Sequence, residues 1–520
     1  MYRKKPHNQL AFEDFYLPFG GKLRSDNRWV ILARLVPWET VESLYAEQFS
    51  QSVQGPPAKP ARVAFGALII KERLGVSDEE AVEQIRENPY LQYFLGFHEF
   101  RDAAPFDPSM FVHFRKRFTL EQLNHINETL ALALHGEDQK QEASCAPDDK
   151  DSDQNPPASG SNSGQLIVDA TCAPADIRYP TDLNLVNEAR EKSEQIIDTL
   201  HEPLKGRMAK PRTYRQKARR LFLRCSKKRK RSSRQTRKAL GQQLRFLKRN
   251  LDTIDRLAQQ SPLTGLSRRQ YKELLVIREL YRQQQWMYDH RCHRISDRIV
   301  SIGQPHIRPI VRGKASAPTE FGAKLSASLV NGWTFLDRLD WDNFNECGDL
   351  IEQITSYKRR FGCYPASVHC DAIYRTQTNR KFCKEHDIRI SGPPLGRPPK
   401  ETAENAEELR QRKRQQRQDE LDRIAIEGKF GQGKRRFSLN LVMTKLAETS
   451  KAAIAIVFIV MNLEKQLKKL FLSLFYPWPG PARCLLELLC AIMKPLSETG
   501  PIIRRGSILL SMTTNASCLL

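Results

Sequence analysis

The spacing of apolar and polar positions divides the chain into blocks of different period. Residues 1–135 keep to helical spacing, and in VPWETVESLYAEQF Val36, Val41, Leu44, Tyr45 and Phe49 recur at about one-turn intervals. A proline-rich break, QGPPAKPA, precedes ARVAFGALIIKERLG. In the following VSDEEAVEQIRENPYLQYFLGF, Ser77 and Glu80 form the S-x-x-E of a capping box. PFDPSMFVHFRKRF closes the block with an Arg-Lys-Arg cluster. The block reads as an all-α N-terminal domain, either a helix-turn-helix-like module that touches DNA or a helical dimerisation and packing domain.

Residues 136–164 are polar, acidic and rich in Pro, Ser and Gly, the composition of a linker. The period then changes. QLIVDATCAPADIRYP opens with an apolar run that ends on Asp169 and breaks into turn residues, as a strand delivering a carboxylate at its edge would. From about 186 to 300 helical spacing returns, including YKELLVIRELYRQQQWMYDHR, which suggests an inserted helical hairpin or bundle. KLSASLVNGWTFLDRLDW predicts two strands joined at Asn331-Gly332. NECGDLIEQITSYKRRFG predicts a helix, and YPASVHCDAIY a short strand ending on a second acid, Asp371. With the helical NRKFCKEHD and the strand IRISGPP, a strand, helix, strand unit results. A heavily charged helix over 401–426 runs into Glu427, on or at its end. AAIAIVFIVMNL, residues 452–463, is too short to span a membrane and reads as a buried element.

Charge sharpens this picture. The formal net charge is +24, yet Lys205–Asn250 alone holds 20 Lys or Arg and no Asp or Glu, which leaves +4 for the other 474 residues. Its densest run is Lys227, Lys228, Arg229, Lys230 and Arg231. A solvated helix face normally interleaves acids with its bases, so a block like this points to phosphate contacts and counterion release, with nucleic acid as the partner. The eleven cysteines show no paired spacing and the first fifteen residues hold no apolar leader core, which points to a reduced cytosolic protein. Cys363, Cys370, Cys383 and His386 are imaginable zinc ligands, but their gaps of six and twelve residues lack the two-residue loop of most structural sites.

Three carboxylates stand out by position: Asp169 and Asp371 at strand ends, and Glu427 on a helix. Phosphodiester cleavage needs an activated nucleophilic oxygen and a stabilised leaving oxygen, which two divalent ions about 4 Å apart supply together. Hard Mg²⁺ takes oxygen ligands, so carboxylates converging from different elements suffice. On an ideal helix Arg423, Glu427 and Lys434 point within roughly 40° of one another, and Lys429 and Arg435 add positive charge nearby. Glycines at 428, 431 and 433 weaken such a helix, each by roughly 1 kcal/mol. The three acids could equally be turn caps or surface ion pairs.

The stretches QPHIRPIVRGKASAPTEFGAKLSASLVNGWTFLDRLDW, HCDAIYRTQTNRKFCKEHDIRISGPPLGRPPK, IEGKFGQGKRRFSLNLVMTKLAETS and FIVMNLEK resemble bacterial insertion-sequence transposases of the DDE superfamily. Residues 36–118 resemble that family's N-terminal domain, and the likeness runs from about residue 10 to 465. It implies an α/β RNase H-like catalytic domain over 165–470, a mixed sheet flanked by helices, with the basic helical insertion at about 186–300. It also implies Asp169, Asp371 and Glu427 as catalytic metal ligands for two Mg²⁺ ions, with Mn²⁺ able to substitute. Arg423 and Lys434 fit the family's Arg, three residues, Glu, six residues, Lys spacing, while Glu420 stands where many relatives carry Tyr. The implied substrate is double-stranded DNA, at transposon ends and target, handled by a homodimer or larger assembly in the bacterial cytoplasm at the nucleoid. A non-catalytic repressor, or an RNase H-like nuclease without strand transfer, would share these features. Residues 471–520 lie outside the family's pattern and read as an extension from a shifted or extended reading frame.

Overall fold

The computed structural model describes residues 11–17, 20–49, 57–144, 162–311, 319–393, 396, 402 and 405–475. The chain divides into a large unit, Met1–Leu467, and the segment Lys468–Leu520, of which only the start is described. In the large unit the N-terminal block is helical as expected. Its helices are α1 (Arg28–Leu35), α2 (Trp38–Ala46), α3 (Ala61–Leu74), α4 (Asp78–Glu87), α5 (Pro89–Phe94), α6 (Met110–Lys116) and α7 (Leu120–Ser144). Helix α3 is apolar on nearly every face and is buried throughout its first three turns, so the others pack around it. Only half of the anticipated capping box forms. Ser77 Oγ accepts from the Glu80 amide at 3.1 Å, but the Glu80 carboxylate accepts instead from Gln84 Nε2 at 2.8 Å. Helix α7 carries its spacing through Ser144, so the first nine residues of the expected linker are helical, and 145–161 lie outside the described residues.

A mixed sheet follows, made of β1 (Gln165–Pro174), β2 (Arg308–Val311), β3 (Thr319–Val330), β4 (Trp333–Asp340), β5 (Ser367–His369) and β6 (Arg389–Ile390). Its order is β2-β3-β1-β5-β6, with β4 also paired to β3. The long β3 runs antiparallel to β1, β2 and β4, whereas β1, β5 and β6 are mutually parallel neighbours. Asn331 and Gly332 both take positive φ, 49° and 81°, as a two-residue hairpin turn that follows strand twist requires.

Four helices intervene between β1 and β2: α8 (Asp182–His201), α9 (Arg215–Ser226), α10 (Ser233–Ala258) and α11 (Arg268–Asp289). The basic block folds because α10 confines its apolar residues to one stripe. Leu244, Leu247, Leu251 and Ile254 meet Val186, Ile196 and Ile197 of α8 and Leu274 and Ile277 of α11 in a separate small core, leaving the cations outside.

The remaining helices are α12 (Leu350–Phe361), α13 (Gln377–Glu385), α14 (Ala406–Arg436) and α15 (Ala447–Phe475). Helix α14 packs on β1 and β5, and α12 on β1. The apolar stretch 452–463 is the buried part of α15, and no helix among the described residues is long and apolar enough to cross a membrane. Asn462 of α15 accepts from the Thr334 amide at 2.9 Å and donates to Asn127 Oδ1 at 2.8 Å, tying α15, β4 and α7 together with every polar atom used. Arg73 of α3 donates to Glu464 of α15 at 2.7 Å, and Arg436 at the end of α14 approaches the same carboxylate at 3.8 Å. The N-terminal helices are thus clamped to the C-terminal half of the unit. The expected tail beyond Phe475 lies outside the described residues.

At Gly322 the two strands leave no room for a side chain, since an added Cβ would lie 2.0 Å from the Ala173 carbonyl oxygen. Gly322→Ala should push β3 off β1, destabilise the protein by roughly 1–3 kcal/mol and lower its thermal midpoint. A midpoint equal to wild type would contradict this approach of the two strands.

Candidate active site

Strand β1 delivers Asp169 between two partners, opposite Ala327 of β3 and beside β5. In the parallel pairing Gln165 meets Ser367 and Ile167 meets His369. Asp371 follows two residues after His369, just beyond the end of β5, as Asp169 follows two residues after Ile167 on β1. Helix α14 lies across β5 with matched steps, since four helical residues and two strand residues each advance about 6 Å. Asp419 and Asp422 of the helix stand over His369, and one turn on, Arg423 and Glu427 stand over Asp371. Helix α14 runs unbroken through Gly428, Gly431 and Gly433, the three glycines expected to weaken it. Ile426 and Phe430 are buried on its inner face, and Gly433 lets it close on Leu439 and Met461.

The result is an open cleft of about 840 Å³ whose lining includes Asp169, Asp371, Glu427, Arg423 and Lys434. Of the other anticipated cations, Lys429 and Arg435 lie on α14 but outside this lining, and Lys227, Lys228, Arg229, Lys230 and Arg231 are exposed in the turn between α9 and α10. Asp371 and Glu427 are half exposed, at 57% and 53%. Arg423 reaches between them, with one guanidinium nitrogen 3.8 Å from Asp371 Oδ1 and another 3.6 Å from Glu427 Oε1, beyond hydrogen-bond distance for both. Asp371 Oδ1 accepts from the Ala372 amide at 2.7 Å, and Asp169 Oδ1 from the Ala170 amide at 2.8 Å. Asp169 is the most desolvated of the three. Burial pushes its carboxyl up to about 6; the Ala170 amide and Arg423 counter this, while Glu346 and Glu427 add to it.

Glu346 is a fourth acid of the cleft that sequence reasoning did not single out. It lies in the short turn after β4, with Oε2 2.8 Å from Lys324 Nζ, and nothing in its local sequence marks it. The carboxylates of the cleft offer an all-oxygen donor set, and two of the three anticipated ones face solvent. These features fit a hard divalent cation such as Mg²⁺.

A second cluster, also not anticipated, joins His369, Asp419 and Asp422, whose ligand atoms lie within 4.8 Å of one another. It suits a metal less well. Both oxygens of Asp419 accept from Arg389, at 2.7 and 3.0 Å, and Oδ1 also accepts from Gln415 at 3.0 Å. The Arg389–Asp419 pair instead fastens α14 to β6.

Comparison with known proteins adds to this geometry. Residues 368–464 match a family model described as a transposase DDE domain, and residues 18–117 one described as a transposase domain, DUF772. The first stretch holds Asp371, Arg423, Glu427 and Lys434; Asp169 lies outside it. The chain is 31% identical over 160 residues to an uncharacterized protein, ORF8 in the nfe locus of Rhizobium meliloti, a match covering 31% of this chain and 68% of that protein. No solved structure matches.

The raised Asp169 carboxyl has a measurable consequence in EDTA. Between 3.8 and about 6 the folded protein keeps a proton that the unfolded chain has released, so this group's contribution to stability falls as pH rises through that window, by roughly 3 kcal/mol in all. Asp169→Asn removes the effect. Its thermal midpoint should gain on wild type progressively from pH 4 to pH 6.5, and a gap that stays flat or narrows would contradict the desolvated carboxylate.

Proposed function

The chain belongs to the DDE transposases of bacterial insertion sequences, and from that premise we propose that it binds the terminal inverted repeats of its element, cuts there and joins the freed ends to target DNA. The observation that carries this reading is the convergence of Asp169, Asp371 and Glu427, from chain segments far apart, on one cleft beside Arg423 and Lys434. The antiparallel trio β4, β3 and β1 continued by parallel β5 and β6, with helices on its faces, supports an RNase H-like catalytic domain.

In this reading Asp169, Asp371 and Glu427 hold two Mg²⁺ ions, or Mn²⁺ in their place. Bound there, the ions supply activation of the attacking oxygen and stabilisation of the leaving oxygen. Arg423 then turns from the carboxylates to the phosphate, and Lys434, two helical turns beyond Glu427, holds the adjoining backbone. Water attack leaves a 3′-hydroxyl, whose oxygen attacks a target phosphate in the second reaction as a target 3′-oxygen departs. Lys227, Lys228, Arg229, Lys230 and Arg231 contact the backbone away from the chemistry and carry no sequence information of their own. The substrate is double-stranded DNA, and the acting form a homodimer or larger assembly at the nucleoid.

Labelled terminal-repeat oligonucleotides with Mg²⁺ or Mn²⁺ test this directly. Wild-type protein should nick the ends and join them to a target. Glu427→Gln and Asp371→Asn should each lose both reactions by about 10³-fold or more, the rate equivalent of about 4 kcal/mol, while still binding the ends. A Glu427→Gln protein that cuts like wild type would remove Glu427 from the site, and salt-sensitive binding without cutting by wild type under either metal would instead favour a repressor. Separately, neutralising residues 227–231 to Gln should reduce the slope of log affinity against log salt by up to about 4; an unchanged slope would take this turn out of the DNA contact.

A further inference from the structure

A second groove, of about 1170 Å³, lies where the chain leaves β1, bounded by Asp176–Pro180, α8, α9, the start of α11 and the loop before α15. Seven cations line it; Lys192 and Arg269 pair with Glu273, and the other five are Arg178 from the strand exit, Arg219 from α9, Arg268 and Lys272 from the start of α11, and Lys445 from the loop. All five are exposed, and none forms a salt bridge among the described residues. The acids of the lining are mostly committed elsewhere. Glu273 holds Lys192 at 2.7 Å and Arg269 at 3.1 Å, Glu191 holds Arg190 at 3.0 Å, and Glu188 reaches Lys192 at 4.0 Å. Among the described residues Asp176 is the one lining acid outside a salt bridge, set against five unpaired cations.

Four separate stretches of chain supply these charges. Folding therefore gathers like charges that the unfolded chain keeps apart, and three of the four acids of the lining are engaged by other cations. Such a site is complete only with a polyanion in it. Tyr179, 67% exposed on the rim and set edge-on to Phe321 at 5.4 Å, adds a rigid flat face. The groove also has a fixed relation to the cleft. From Asp169 to Ala175, beside the groove, β1 and its continuation advance six residues, or about 20 Å. Along one strand of a duplex, phosphates advance about 3.4 Å each.

We propose that this groove binds the sugar-phosphate backbone of the element's duplex DNA about six nucleotides from the phosphate being cut. It is an anchoring site distinct from both the carboxylate cleft and the turn at residues 227–231. The inference rests on the transposase reading, to which it adds where the DNA runs on leaving the cleft. Its arginines contact phosphates bidentately and its lysines as point charges, so the site sets register and not sequence.

The test uses full-length Asp371→Asn protein, which should bind ends without cutting, and the same protein with Arg219→Gln, Arg268→Gln and Lys272→Gln added. Binding of a fluorescent terminal-repeat duplex is titrated over a range of salt. The triple substitution should reduce the slope of log affinity against log salt by about 2–3 and weaken binding tenfold or more. Uncharged methylphosphonate links placed about five to seven nucleotides from the cleavage point should weaken binding by the parent protein but not by the triple variant. A companion with Arg219→Lys and Arg268→Lys should keep the parent slope, which separates lost charge from lost fold. An unchanged slope in the triple variant, equal methylphosphonate effects on both proteins, or a loss confined to single-stranded RNA would overturn the proposal. If wild type cuts ends in Mg²⁺ while the triple variant keeps its slope, this inference alone fails; if wild type neither binds nor cuts them, the transposase reading fails and takes the inference with it.

Discussion

Repulsion among carboxylates is the constraint that the rest of the molecule answers to. Asp169, Glu346, Asp371 and Glu427 share one cleft, and no flexible surface would keep four such groups together in water. They are kept together because each is fixed to something rigid: Asp169 by its place between β3 and β5, Asp371 by the end of β5, Glu427 by a helix buried at Ile426 and Phe430. The fastening of α14 is itself electrostatic. Arg389 on β6 grips Asp419, so one turn of the helix is held to the sheet while a later turn carries Glu427. Burial of Asp169 costs stability once its carboxyl ionises, the arrangement expected where function and folding pull in different directions.

The same logic with the opposite sign runs through the helical insertion. Its bases tolerate one another because α10 packs a continuous leucine and isoleucine stripe against α8 and α11, which makes the cationic surface an obligatory outer face of a stable bundle. Acids enter the bundle where they are paired, as Glu194 and Glu191 are with Arg190. Among the described residues, cations outside any salt bridge are found in the turn at 227–231 and in the groove beside β1, and others, such as Lys217, Arg220 and Lys248, lie exposed along α9 and α10.

Much of this was legible in the sequence because it is local. An apolar run closing on Asp169, Asn-Gly between two strand-like stretches, and Arg423, Glu427 and Lys434 at helical spacing each declare themselves within about ten residues, and the structure gathers the three acids and the two cations at one cleft. What stayed hidden depends on pairing across the chain. His369 meets Asp419 and Asp422 fifty residues on, and Glu346 joins the cleft only because the β3–β4 hairpin returns it there. Local rules also misled in two places. Helix α14 runs unbroken through its three glycines, with Ile426 and Phe430 buried on its inner face to support it, and Glu80 found Gln84 in place of its capping partner. The full reciprocal box formed instead at Ser267 and Gln270, a pair that the pattern of the chain had not brought forward.

The order of the parts along the chain has a consequence in time. Asp169 comes early, the basic helices follow, and Glu427 comes 177 residues after the basic block ends at Asn250. At a synthesis rate of about 5–20 residues per second, a growing chain presents its cationic bundle for roughly 10–35 s before the third carboxylate has left the ribosome. On the reading offered above, a nascent protein meets DNA before it is able to cut it.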